Sequence, residues 1–144
     1  MKRTNILKVL YIVVFTLLIV HEIDSAFWKE WELFHIPGGI QVFNVIHIVV
    51  LPIFIIGYGV LIDNIEKGIK FSLLLSILGI LAFVIHSIFM SIGFDQFKIP
   101  VSILIIALLG ITSVYQLILV NKVNKELHRV GKILKNDDIS KNIV

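Results

Sequence analysis

Four apolar stretches, separated only by short polar breaks, restrict this chain more than any other feature. They run over about residues 6–27, 40–62, 69–92 and 99–120. A helix rises about 1.5 Å per residue, so roughly 20 apolar residues cross a hydrocarbon core of about 30 Å. Inside lipid the backbone must satisfy its own hydrogen bonds, which leaves helices or closed barrels. Apolar runs this long, without two-residue alternation, predict helices. The expected fold is all-α: a polytopic membrane protein forming a four-transmembrane-helix bundle. Residues 1–121 make up the membrane domain, and residues 122–144 a basic amphipathic cytoplasmic tail.

Composition supports this reading. The chain has 144 residues, 58% of them hydrophobic and 16% charged, against about 45–50% apolar content in ordinary globular domains. Its mean hydropathy is +0.99. Four spans take up roughly 80 residues, so no separate soluble catalytic domain fits. The chain has no Cys, which removes zinc–thiolate, iron–sulfur and thiol-nucleophile chemistry.

The first apolar run is short. Val9 to Val20 would rise only about 18 Å, so the helix must borrow neighbours, and His21, Glu22 and Asp24 then fall in its last two turns. A cleaved signal peptide is the rival reading, because Met1-Lys2-Arg3 precedes the apolar run, but no A-x-A site follows. Beyond it, Phe27, Trp28, Trp31 and Phe34 recur at helical spacing while Lys29, Glu30 and Glu32 project elsewhere. An amphipathic interfacial helix anchored by its aromatics is expected. The alternative is a lid to which Glu30 or Glu32 adds a carboxylate. Pro37-Gly38-Gly39 ends this segment.

Charge sets the expected orientation. Lys2, Arg3, Lys8, Lys67, Lys70, Lys122, Lys125, Arg129, Lys132, Lys135 and Lys141 fall on one side of the four-span arrangement, and Lys29 and Lys98 on the other. The positive-inside rule then places both termini in the cytoplasm and the protein in the cell membrane. The net charge of +3 needs no nucleic-acid partner, since basic flanks meet anionic lipid. In the tail, Val123, Leu127, Val130 and Leu134 form a two-heptad stripe ringed by Lys125, Arg129, Lys132 and Lys135. A helix on the inner leaflet is expected, with homo-oligomer formation through the stripe as the alternative.

With this orientation, His21, His47 and His86 all lie in the outer third of their spans. Ionisable groups at that depth cost several kcal/mol unless partnered, so they should face one another or a wet cavity. Gln41 and Asn44 step by three towards His47, and Trp28 continues the face of His21 and Asp24; these three are the expected pocket-lining residues. Imidazoles and carboxylates also ligate transition metals such as zinc. The candidate ligands are therefore His21, His47, His86 and Asp24, with Glu22 or Asp24 as candidate catalytic bases. No H-E-x-x-H motif is present, and a purely structural hydrogen-bond network or a proton-linked or small-molecule site remains open. Pro52, one turn past His47, predicts a kink. Ser72, Ser76 and Gly79, with Ala107 and Gly110, predict close helix packing.

The segment His21-Glu-Ile-Asp-Ser-Ala-Phe-Trp-Lys-Glu-Trp-Glu-Leu-Phe34, followed by Pro37-Gly-Gly-Ile-Gln41, resembles a family of small bacterial membrane proteins with four helices and no assigned activity. The resemblance covers roughly Val20 to His47, and it implies architecture rather than mechanism. A looser likeness to proteins with a His-x-x-Glu-Glu motif fails at Asp24, the third residue after His21. The leading functional expectation is a binding or accessory membrane protein with a His/carboxylate-lined pocket near the outer face. The alternative is a membrane-embedded metal-dependent enzyme with His21, His47 and His86 as ligands.

Overall fold

A computed structural model describes residues 2–94 and 99–141, with side chains for residues 3–94 and 99–134. The order is α1 (Lys2–Trp28), α2 (Glu30–Leu33), α3 (Gly39–Asp63), α4 (Ile65–Ser91) and α5 (Pro100–Lys141). The fold is all-α, and no strand occurs among the described residues. Four helices are long and apolar enough to cross a membrane: Arg3–Trp28, Gly39–Asp63, Ile65–Ser91 and the Pro100–Leu134 part of α5. Side chains such as Val9, Ile48, Ile55 and Ile111 are more than half exposed, a surface suited to lipid rather than water. This architecture is compatible with a multi-pass membrane protein.

Buried residues trace the packing faces. On α1 they are Leu7, Tyr11, Val14, Leu18, His21 and Ser25, a four–three repeat that forms one stripe of a helix. On α5 the same repeat runs through Ser102, Ile106, Leu109, Ser113, Gln116, Val120 and Val123. On α4, Ser72, Leu75, Gly79 and His86 share one face. The α4–α5 interface is the most extensive, followed by α1–α5 and α3–α4. At its centre a Cβ on Gly79 would collide with Ser113 Oγ, so the expected small-residue packing takes the form of close α4–α5 contact. Gln116 Nε2 crosses this interface and donates to Ser72 Oγ at 2.7 Å and to the Ser72 carbonyl at 3.1 Å.

The connections differ from the sequence-based boundaries. The helix that carries the third apolar run begins at Ile65, ahead of residue 69, because Asn64 alone links α3 to α4: it is extended and caps α4 by accepting a bond from Lys67 N. α3 starts at Gly39 with Gly38 as its N-cap, both at positive φ (56° and 96°), which only glycine adopts cheaply. It then continues through Pro52 without a break. The stretch expected to be a separate tail from residue 122 has no backbone break and extends α5 to Lys141. The 42 residues of α5 span about 63 Å, well beyond a hydrocarbon core. The buried stripe of α5 runs directly into Leu127, Val130 and Leu134, and it becomes exposed at Val130 and Leu134, where the bundle ends. Residues 95–98 lie outside the described residues, and with them the expected outer charge Lys98.

The bundle has two unlike ends. At one, Arg3 pairs with Glu126 and Lys8 Nζ donates to the Ile62 carbonyl. Lys122, Lys125 and Arg129 surround the Arg3–Glu126 pair. At the other end lie His21, Glu22, Glu30, His47 and His86.

Candidate functional site

The site begins with the break between α1 and α2. Lys29 takes a left-handed conformation (φ 53°, ψ 50°), at a cost of about 1–2 kcal/mol for a residue with a Cβ. The aromatic segment is therefore not one continuous interfacial helix. The turn swings Glu30 inward, leaving it 8% exposed, whereas an unbroken helix would project it outward. Glu32 stays outside, 3.9 Å from Lys29. Trp31 packs on Phe43 of α3 and Phe34 on Phe89 of α4, both with ring centroids 5.5 Å apart. The four-residue α2 is thus pinned across the top of the bundle.

Two Glu–His pairs result, built alike. His47 Nδ1 donates to the Phe43 carbonyl at 2.7 Å, and its Nε2 meets Glu22 Oε2 at 3.0 Å. His86 Nδ1 donates to the Ala82 carbonyl at 2.7 Å, and its Nε2 is hydrogen-bonded to Glu30 Oε1. In each, the carbonyl four residues back fixes the imidazole rotamer and tautomer, so Nε2 is the nitrogen presented to the carboxylate. The pairs differ in shielding. The Glu30 and His86 side chains are 10% and 3% exposed, and those of Glu22 and His47 are 29% and 20% exposed.

His21 lies between helices on the buried stripe of α1. Its ring stands edge-on to His86, with centroids 4.6 Å apart, and its Nδ1 is buried with no hydrogen-bond partner among the described residues. Ligand atoms of His21, Glu30 and His86 lie within 4.8 Å of one another, and all three residues are buried.

All five groups line one partly open cavity of about 300 Å³ among α1, α3 and α4, with Glu30 of α2 and the adjoining Phe34 on its rim. Its walls are otherwise apolar, including Phe15, Leu18, Val50, Phe54, Leu78 and Ile85. On α1, Phe15, Ile19 and Glu22 share a second face, beside the buried stripe that carries His21. A smaller cavity of about 200 Å³ below Trp31 shares Glu22, Glu30, Phe34, Ile46 and His47 with the first. The carboxylates and His47 therefore stand between an apolar chamber and a vestibule.

The three expected histidines thus share one cavity, together with Glu22. His47 turns to Glu22, while His21 approaches His86 and Glu30. Asp24 is half-buried and does not line the cavity. Gln41 and Asn44 are exposed; Asn44 borders a separate depression beside Pro52 and His47. Trp28 is half-buried and packs edge-on against Phe27, outside the cavity lining. Side chains stepping by three on a helix drift around it, and only His47 of that series reaches the interior.

Glu30, which the sequence offers only together with Glu32 as an alternative lid carboxylate, is the one that turns inward, and its burial follows the left-handed Lys29 that no residue type announces. The burial of His21 does have a sequence signal, because it continues the four–three repeat from Leu7. No curated protein and no solved structure matches the chain. A family model does match residues 7–123, which hold most of α1, all of α2, α3 and α4 and the part of α5 up to Val123, so the chain belongs to the family of unknown function DUF6713.

Proposed function

We propose that the protein is a multi-pass protein of the cell membrane that acts by binding rather than catalysis, with both termini cytoplasmic and the Glu/His cavity opening towards the outer face. The observation that carries this reading is the two-part cavity: apolar walls from three spans and, at one end only, two carboxylates with three imidazoles. A chamber of this kind suits an amphiphile whose apolar body fills the interior and whose polar head reaches the Glu–His pairs. Two carboxylates favour a head that donates hydrogen bonds, an amine or hydroxyl, over an anionic one. At the opposite end, Arg3, Lys122, Lys125 and Arg129 suit anionic headgroups of the inner leaflet.

The test is a fluorescence titration of the detergent-purified protein with two probes of equal chain length, each tagged at its apolar end: an alkylamine and a fatty acid. The amine should bind, Leu78→Trp should fill the chamber and abolish binding, and Glu22→Gln should weaken it about tenfold, the loss of one charge-assisted hydrogen bond. Equal binding of both probes, unaffected by Leu78→Trp, would overturn the reading. A reporter fused after Val144 should report the cytoplasm; activity on the outer side would reverse the orientation.

A further inference from the structure

We infer that His21, Glu30 and His86 form a binding site for a divalent transition-metal ion of the zinc class, with a coordination position left open to the cavity. Two imidazoles and one carboxylate are a donor set that zinc accepts alongside a fourth, exchangeable ligand. Here they come from three separate elements, α1, α2 and α4, and their ligand atoms lie within 4.8 Å of one another. A single ion can therefore be reached by all three with small side-chain adjustments.

Two further observations point to a cation rather than a closed hydrogen-bond network. His21 is 2% exposed, yet its buried Nδ1 has no partner among the described residues. A buried polar atom left unsatisfied costs about 1–3 kcal/mol, so no protein group competes for this nitrogen, and a metal bond made through it would remove that cost. His86, in turn, is oriented as ligating imidazoles are: Nδ1–H donates to a backbone carbonyl at 2.7 Å, and Nε2 is aimed at the ligand position. Glu30 supplies one negative charge in a shielded place, where a dication is better stabilised than in water.

The donor set differs from one built on His21, His47, His86 and Asp24. His47 Nε2 is held by Glu22 at 3.0 Å, and Asp24 is absent from the lining. The Glu22–His47 pair borders the same cavity, and there it stands to hydrogen-bond whatever occupies the open position. This inference does not rest on the amphiphile reading.

The experiment uses full-length protein in mild detergent, stripped with a chelator and titrated with Co²⁺ alone, followed by visible absorption and then by Zn²⁺ competition. One ion per chain is expected, with the intense bands of four-coordinate cobalt. His21→Ala, which leaves the Glu30–His86 bond in place, should abolish those bands and weaken binding at least 100-fold. Glu30→Gln should do the same. Glu22→Gln and His47→Gln should keep the spectrum and shift affinity by about tenfold or less, the lower end of outer-sphere effects.

Circular dichroism melting of each metal-free variant confirms folding, and if Glu30→Gln does not fold, His21→Ala decides. The inference is overturned if the folded wild type takes up no Co²⁺, or if binding survives His21→Ala and disappears in His47→Gln. A folded protein that takes up no Co²⁺ yet binds the alkylamine would refute this site and spare the amphiphile reading. A protein that binds metal and neither probe would do the reverse.

Discussion

The two sides of the α1–α4 pair are built on different principles. Towards α5, the helices meet through four–three stripes and small residues, with Gly79 against Ser113 and Gln116 bonded to Ser72. Towards α3 the outer part of the contact opens into a cavity, and the Glu22–His47 and Glu30–His86 pairs both border it. One half is packed for stability, and the other is kept hollow for polar groups. α1 and α4 serve both, because a helix presents neighbouring faces about 100° apart.

The largest effect is expected where the hollow side depends on a shielded pair. In metal-free protein, Glu30→Ala removes one member of a shielded pair and should cost about 3–5 kcal/mol, whereas Glu22→Ala, at the more exposed pair, should cost about 1 kcal/mol or less. Thermal unfolding in detergent measures both. Equal losses would erase the distinction between a shielded and a wet pair.

On the packed side, Gly79→Val drives a side chain into Ser113 and should cost about 1–3 kcal/mol while leaving Co²⁺ affinity unchanged in the folded fraction. A parallel fall in metal affinity would show that the two halves are coupled.

Lys29→Gly should stabilise by about 0.5 kcal/mol, the relief of left-handed strain less the added chain entropy; a loss of stability would refute the bent α1–α2 junction. The smallest effect is expected at the far end. Arg3→Ala removes an ion pair whose partners are 55% and 51% exposed, and the melting temperature should scarcely move.

Much of this was legible before any coordinates. Hydropathy locates four long helices because a long apolar run satisfies its own backbone hydrogen bonds most readily as a helix. The helices differ from the apolar runs at their ends: one residue, Asn64, caps α4 ahead of Ile65, and the apolar stripe of α5 continues through Leu127, Val130 and Leu134. Candidate site residues were legible unevenly. His21, Glu22, His47 and His86 could be singled out because polar groups deep in apolar runs are costly and so demand partners. Asp24, Gln41, Asn44 and Trp28 sit nearby on the same helices but turn away from the cavity, since a rotation of one residue in a helix moves a side chain to another face.

From residue order alone follow the number of long helices, their apolar surfaces and the concentration of imidazoles towards one end, because these depend on local composition and on helical periodicity. Which imidazole meets which carboxylate depends on helix rotation and on a single left-handed residue at Lys29. Both are settled by the packing of all helices together, and so the pairing of Glu22 with His47, and of Glu30 with His86 beside His21, emerges only when the bundle is assembled.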